Sequence, residues 1–157
     1  MTLAREIKKA KPFDVPEQEA FLNLARTWDV LSGEMAVSVF KPAGLTPAQY
    51  NVLRILRGAG GAGGVLACGE IGARMIAREP DMTRLLDRLE TRGLVARSRE
   101  ANDRRVVSVR ITPAALKALE ALDPQVLAAH RKQLGHMTKK ELEQLIALLE
   151  KARRQTD

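Results

Sequence analysis

Residues 80–112 read PDMTRLLDRLETRGLVARSREANDRRVVSVRIT. Pro80 suits a first helical position, where its missing N–H has no partner to lose. Asp81 follows in the first turn, where a carboxylate complements the positive end of the helix dipole. Met82, Leu85, Leu86 and Leu89 recur at i, i+3, i+4 and i+7 and form one apolar face. Arg84, Asp87, Arg88 and Thr91 point the other way, with Thr83 on the flank. Arg92 lies in the last turn, and Gly93 supplies a stop at C′.

Two alternating runs follow. In Val95–Arg99 the small residues Ala96 and Ser98 share one face; in Val107–Ile111 the odd positions are β-branched and apolar. This is strand patterning with one wet face. The polar run 100–105 between them is turn-prone at Asn102-Asp103 and ends in Arg104 and Arg105. A basic helix followed by a hairpin with arginines at its tip fits duplex DNA. The helix suits a major groove, and tip arginines suit the negative potential of a minor groove.

Composition supports that reading. The 157 residues carry a net charge of +7 and are 45% apolar, which favours a folded chain with an anionic partner. From Arg74 to Arg110 every basic residue is arginine, whose planar fork suits phosphate and guanine better than lysine does. Five aromatic residues (three Phe, one Trp, one Tyr) are too few for the stacking platforms of a single-strand binder. The single cysteine, Cys68, excludes an intramolecular disulfide and fits a reducing, cytoplasmic location. The basic N-terminus lacks the apolar run of a secretory signal, and no stretch reaches transmembrane length.

Working outward, residues 1–16 read as a lysine-bearing arm, partly ordered at best. From Glu17 to about Phe40, Phe21, Leu24, Trp28, Leu31 and Met35 are spaced 3, 4, 3, 4, a seam for another helix. Trp28 belongs to core or dimer-interface packing, or else lines a ligand pocket. Thr46, Pro47 and Gln49 spell a capping box with proline at N1, opening a helix with Leu53 and Leu56 on its apolar face. The glycine-rich run 58–64 lacks the Lys-Ser/Thr of a phosphate loop and reads as a flexible connection between two helices. A third short helix is expected from Ala67 to about Arg78, stopped by Glu79-Pro80. With the helix after Pro80 it makes a helix-turn-helix.

After the hairpin, Thr112-Pro113 starts another helix, in which Pro124 predicts a kink or a restart with Asp123 as a fresh N-cap. Thr138 and Glu141 form a capping box for the last helix, with Leu142, Leu145, Ile146 and Leu149 along it. These flanking helices carry more apolar surface than the reading head needs, and a second copy of the chain is the simplest partner. The expected fold is therefore mainly α with a small β-hairpin wing (α+β). It comprises an arm (1–16), a helical dimerisation region (17–40 and 113–157) and a winged helix-turn-helix (41–112).

Enzyme signatures are lacking. His130 and His136 have no acidic partner at zinc-ligand spacing, one cysteine excludes a cysteine-rich zinc site, and there is no Gly-x-Ser-x-Gly elbow. No cofactor or metal is expected. Cys68 lies at a helix start, which favours a reactive thiol, although Glu70 opposes it; the alternative is a small residue beside a cap.

LTPAQYNVLRIL (45–56), MTRLLDRLETRGLV (82–95) and DRRVVSVRIT (103–112) together resemble the MarR family of bacterial transcriptional regulators, which are dimeric winged helix-turn-helix proteins. The resemblance covers nearly all the chain after Glu17. It implies that Thr83, Arg84 and Arg88 contact groove or phosphate, and that Asp81 contacts a base or only caps. It also implies that Asp103 shapes the wing while Arg105, with Arg104 beside it, enters the minor groove. A small aromatic effector held between the dimer region and the reading head is implied too, with Trp28, Leu31, Met35 and Tyr50 as its candidate lining. Three departures stand out: the glycine-rich 58–64, the Ile111-Thr112-Pro113-Ala114-Ala115 continuation after the wing, and a first long helix without the cysteine of the peroxide-sensing members. The expected function is a repressor: a homodimer on a pseudo-palindromic double-stranded operator, released by an effector. Rivals are a non-specific architectural DNA binder, a thiol-based regulator acting through Cys68, and a winged helix used only as a protein-interaction scaffold.

Overall fold

The computed structural model describes residues 2–60, 63–99 and 106–154. Helix α1 (Leu3–Glu6) precedes the long α2 (Pro16–Met35), which runs into a π-helical turn at Ala36–Phe40. Then come α3 (Pro47–Gly58), β1 (Val65–Ala67), α4 (Cys68–Arg74), α5 (Met82–Thr91), β2 (Val95–Arg99) and β3 (Val107–Ile111). The terminal helices α6 (Pro113–Leu134) and α7 (Lys139–Arg153) complete the chain. The three strands form an antiparallel sheet in the order β1-β3-β2. Val65 lies opposite Arg110, and Val95 lies opposite Ile111. Mainly helical structure with β2 and β3 as the wing hairpin is the architecture that the patterning predicts; β1, which makes the sheet three-stranded, is an addition to it.

Local signals set most boundaries. Thr46 Oγ1 accepts the Gln49 N–H at 3.2 Å and Gln49 Oε1 accepts the Thr46 N–H at 3.0 Å, a closed capping box at the start of α3. Thr138 and Glu141 repeat it at α7. Thr112 accepts the Ala115 N–H at 3.3 Å, and its hydroxyl donates to the Gly93 carbonyl at 2.8 Å, tying the start of α6 to the end of α5. Gly93, at φ +66°, takes the left-handed turn that ends α5. The core is one cluster built from Val39 and Phe40 of the π-helical turn, Val52, Leu53 and Leu56 of α3, Ile71 of α4, Leu86 and Leu89 of α5, Val109 of β3 and Leu119 of α6.

Several local expectations need correcting. The 58–64 run does not join two helices; it leads into β1, a strand too short to show a period. Helix α4 ends at Arg74, not near Arg78, and Met75 is already extended. Asp81 is the N-cap of α5 rather than a first-turn residue: its Oδ1 accepts the Arg84 N–H at 2.9 Å, leaving Pro80 outside the helix. The inward face of β2 carries Val95 and the half-buried Arg97; Ala96 and Ser98 are exposed. Helix α6 continues through Pro124, and Asp123 forms an ion pair with Arg57 of α3 at 2.8 Å instead of capping a new helix. The start of the arm is ordered as α1, with Leu3 buried and Glu6 3.7 Å from Arg26 of α2.

The seam on α2 is uncovered within the chain: Phe21 is 67% exposed, Trp28 60% and Leu24 43%. Leu127 of α6 and Ile146 and Leu148 of α7 are exposed as well, so the terminal helices carry an apolar surface that the chain itself does not bury. The end of α2 is bound to α6 by a Lys132–Glu34 ion pair at 2.7 Å and a Gln133 side-chain bond to the Leu31 carbonyl at 2.8 Å. Among the described residues no helix is long and apolar enough to cross a membrane.

Candidate nucleic-acid interface

Helix α5 buries Leu85, Leu86 and Leu89 and leaves Met82 half-buried. Its remaining surface divides into two stripes at i, i+4, i+7 spacing. Arg84, Arg88 and Thr91 make the outward one; Thr83, Asp87 and Glu90 make the other, toward β2. Arg84 and Arg88 are exposed, and among the described residues their side chains make no hydrogen bond or ion pair. Asp81, exposed at the leading end, holds the first turn by its cap.

Two clefts border these stripes. One, of about 510 Å³, is lined by Gly44, Gln49, Arg84, Asp87, Arg88, Thr91 and Arg92. Arg92 helps to close it by donating to the Gly44 carbonyl at 2.6 Å, which fixes the loop before α3 against the last turn of α5. The other, of about 430 Å³, lies behind α5 and is lined by Ala67, Cys68, Gly69, Thr83, Leu86, Arg97, Val106 and Val107. The expected outward arginines therefore share a face, whereas Thr83 stands on the flank beside Cys68.

Arg97 is the residue that the sequence reading placed wrongly. From β2 its Nη2 reaches Asp87 Oδ1 at 2.5 Å and Glu90 Oε2 at 2.7 Å, its Nε donates to Glu90 Oε2 at 2.8 Å, and its backbone N–H donates to Glu90 Oε1 at 2.9 Å. These bonds from the Arg97 side chain and backbone hold the Glu90 carboxyl below the usual carboxylate range. The same pairing, Glu90 first, raises the Arg97 guanidinium further. Two acids at i and i+3 on a helix, followed by an arginine in the next strand, were the available signal.

A second ion pair joins α3 to α6. Arg57 and Asp123 meet through two bonds, 2.8 and 2.9 Å, between α3 and α6. The guanidinium holds the Asp123 carboxyl low. Burial, then the negative charge of Asp123, pushes the Tyr50 hydroxyl up.

The four candidate effector residues are not gathered around either cleft. Trp28 is on the open surface of α2, whereas Met35 and Tyr50 pack on the core and the Tyr50 ring lies 4.7 Å from that of Phe40. Leu31 is half-buried. Asp103, Arg104 and Arg105 lie outside the described residues. Among the described residues no three His, Cys, Asp or Glu side chains converge as metal ligands.

Known proteins share this arrangement. The sequence profile of the MarR family matches residues 45–107, from the cap of α3 to the start of β3. The HTH-type transcriptional repressor MdtR of Bacillus subtilis is 36% identical over 91 residues, 58% of this chain and 56% of that repressor. A MarR transcription factor from Planctomyces limnophilus superposes with a TM-score of 0.67 at 42% identity, over 88% of this chain and 98% of that one. A mutant MarR from E. coli, solved with operator DNA, superposes with a TM-score of 0.71 at 26% identity, over 98% of this chain and all of that one. With its winged reading head and a MarR relative 42% identical over 88% of its length, the chain belongs to the MarR family of DNA-binding transcriptional regulators.

Proposed function

We propose that this protein is a homodimeric repressor that binds a pseudo-palindromic duplex operator and is released from it by a small molecule. The observation that carries the reading is the outward stripe of α5, where Arg84 and Arg88 stand exposed on a helix whose other face is locked into the core. An amphipathic helix of this kind enters a major groove, with its N-terminal residues nearest the base edges. Asp81, Thr83, Arg84 and Arg88 are its contact residues, and Asp103, Arg104 and Arg105 belong to the wing. Thr83 reaches the duplex from the flank, and Asp81 shares its carboxylate with the cap.

Dimerisation rests on where the exposed apolar residues lie. Among the described residues the large ones lie outside the reading head, mostly on its flanking helices and with Ile7 and Val15 in the arm; Ile76 is the exception. Surface of that extent is covered by a partner, and two-fold symmetry would place two reading helices about 34 Å apart on one face of the duplex. Residues 17–40 and 113–157 then form the dimerisation region, with 41–112 as the reading head. Effector release fits the junction between them, where Glu34, Lys132 and Gln133 join α2 to α6; a ligand preferring one setting of the heads shifts the population. Trp28, Leu31, Met35 and Tyr50 remain its proposed lining in the dimer.

Selection of bound duplexes from a random pool tests the reading. An enriched inverted repeat with half-sites one helical turn apart is the expected result. Equal binding of all sequences would replace it with non-specific architectural binding, and an enriched site without symmetry would remove the dimer.

A further inference from the structure

We propose that Arg97 supports DNA binding without touching DNA, by neutralising two carboxylates that the reading helix would otherwise present to the phosphate backbone. This rests on the DNA-binding reading above. Arg97 is the inward-facing cation of β2, with its side chain 25% exposed; Asp87 is 51% exposed and Glu90 37%. Both acids stand on α5 beside the outward arginines, and Asp87 lines the same cleft as Arg84 and Arg88. A helix meant for a polyanion gains nothing from two carboxylates at that place. The Arg97 side chain bonds to both, and its backbone N–H takes the remaining Glu90 oxygen. With Nε and Nη2 held by the carboxylates, the guanidinium has its Nη1 donors left for a phosphate, and the salt slope below tests whether it uses them.

Two roles are separable. If Arg97 balances charge, its loss exposes like charges to the phosphates, and neutralising the acids cures the defect. If it is only a clamp that holds α5 on the sheet, neutralising the acids cannot restore it. If it is itself a phosphate contact, its loss removes one released counterion, a change of about 0.9 in the slope of log affinity against log salt.

The experiment uses the full-length chain and a duplex obtained by selection, with affinity measured over a range of salt concentrations. Arg97→Met is expected to weaken binding on the order of tenfold at low salt. Its slope should not fall by the 0.9 that one lost phosphate contact would remove. The triple variant Asp87→Asn, Glu90→Gln, Arg97→Met is expected to return to within about threefold of the original protein. A slope lowered by about 0.9 in Arg97→Met, or no recovery in a folded triple variant, overturns the proposal. Should Arg97→Met fail to fold, Arg97→Lys decides: it keeps the charge and loses the planar fork. Charge balance predicts near-original affinity for it, and a tenfold loss in the folded Lys variant overturns the proposal. An unmodified protein that binds no duplex would remove the DNA-binding reading, a different result from any of these.

Discussion

Gly64→Ala gives the sharpest test of how the wing sheet is seated. Gly64 has φ +67°, and a Cβ placed there would stand 2.5 Å from Ile111 Cγ2 and 2.7 Å from the Leu56 carbonyl oxygen. The Leu56 atom is backbone at the end of α3, so it cannot turn aside as a flexible side chain would. The Gly64 carbonyl also accepts the Ile111 N–H at 3.1 Å, which limits any retreat of the loop. The left-handed conformation costs an alanine about 1–2 kcal/mol, and overpacking of this kind adds about 1–3 kcal/mol. Reduced freedom of the unfolded chain returns about 0.4–1 kcal/mol. At the middle of these ranges the net destabilisation is about 3 kcal/mol. For a chain of this size that lowers Tm by roughly 5–15 °C, at about 2–4 °C per kcal/mol. Thermal unfolding followed by circular dichroism at one fixed protein concentration measures it. Gly72→Ala is the control: its Cβ would meet nothing within 4 Å and it lies inside α4, so it should be neutral or stabilise by up to about 1 kcal/mol. If Gly64→Ala melts with the original protein, the close seating of 63–64 between α3 and β3 is wrong.

Three further expectations concern the proposed duplex contacts, the cap of α6 and the Arg57–Asp123 pair. Arg88→Ala and Arg105→Ala should each weaken duplex binding and reduce the salt slope by about 0.9 while changing unfolding free energy by less than about 0.5 kcal/mol; unchanged operator affinity in either would remove that residue from the interface. Thr112→Ala takes away the α6 cap together with the hydroxyl bonds to the Gly93 and Leu94 carbonyls, and denaturant titration should show a loss of about 1–2 kcal/mol. The Asp123 carboxyl is held low by Arg57, so its contribution is complete above its unfolded pKa of about 4 and disappears as pH falls through its lower folded value. Because the pair is 32% and 40% exposed, that contribution is at most about 1 kcal/mol. Asp123→Asn should therefore cost up to that amount at pH 7 and flatten the acid side of the stability curve below about pH 4; identical acid curves for both proteins would refute the linkage.

Read alone, the sequence determined those features whose cause is local. The amphipathic α5, the glycine stop at Gly93, the caps at Thr46, Thr112 and Thr138 and the two long strands of the wing each depend on neighbours a few positions away. The sides of α5 that carry Arg84 and Arg88 or Leu86 and Leu89 follow from the period of a helix. Tertiary structure decided what depends on a distant partner. Strand β1 exists because β3 offers it an edge, and three residues carry no period of their own. The inward face of β2 could not be chosen by alternation, since either set of residues, Ala96 and Ser98 or Val95 and Arg97, fits a strand. Pairing register with β3 and the carboxylates of α5 select the second set, because a half-buried arginine is favourable only against acids placed to receive it. For the same reason Asp123, a plausible cap by its position before Pro124, is claimed by Arg57 across the helix packing. Charge spacing along the chain showed that this protein has a surface for an anion; the fold determines which of its arginines face that surface and which face the acids of the reading helix.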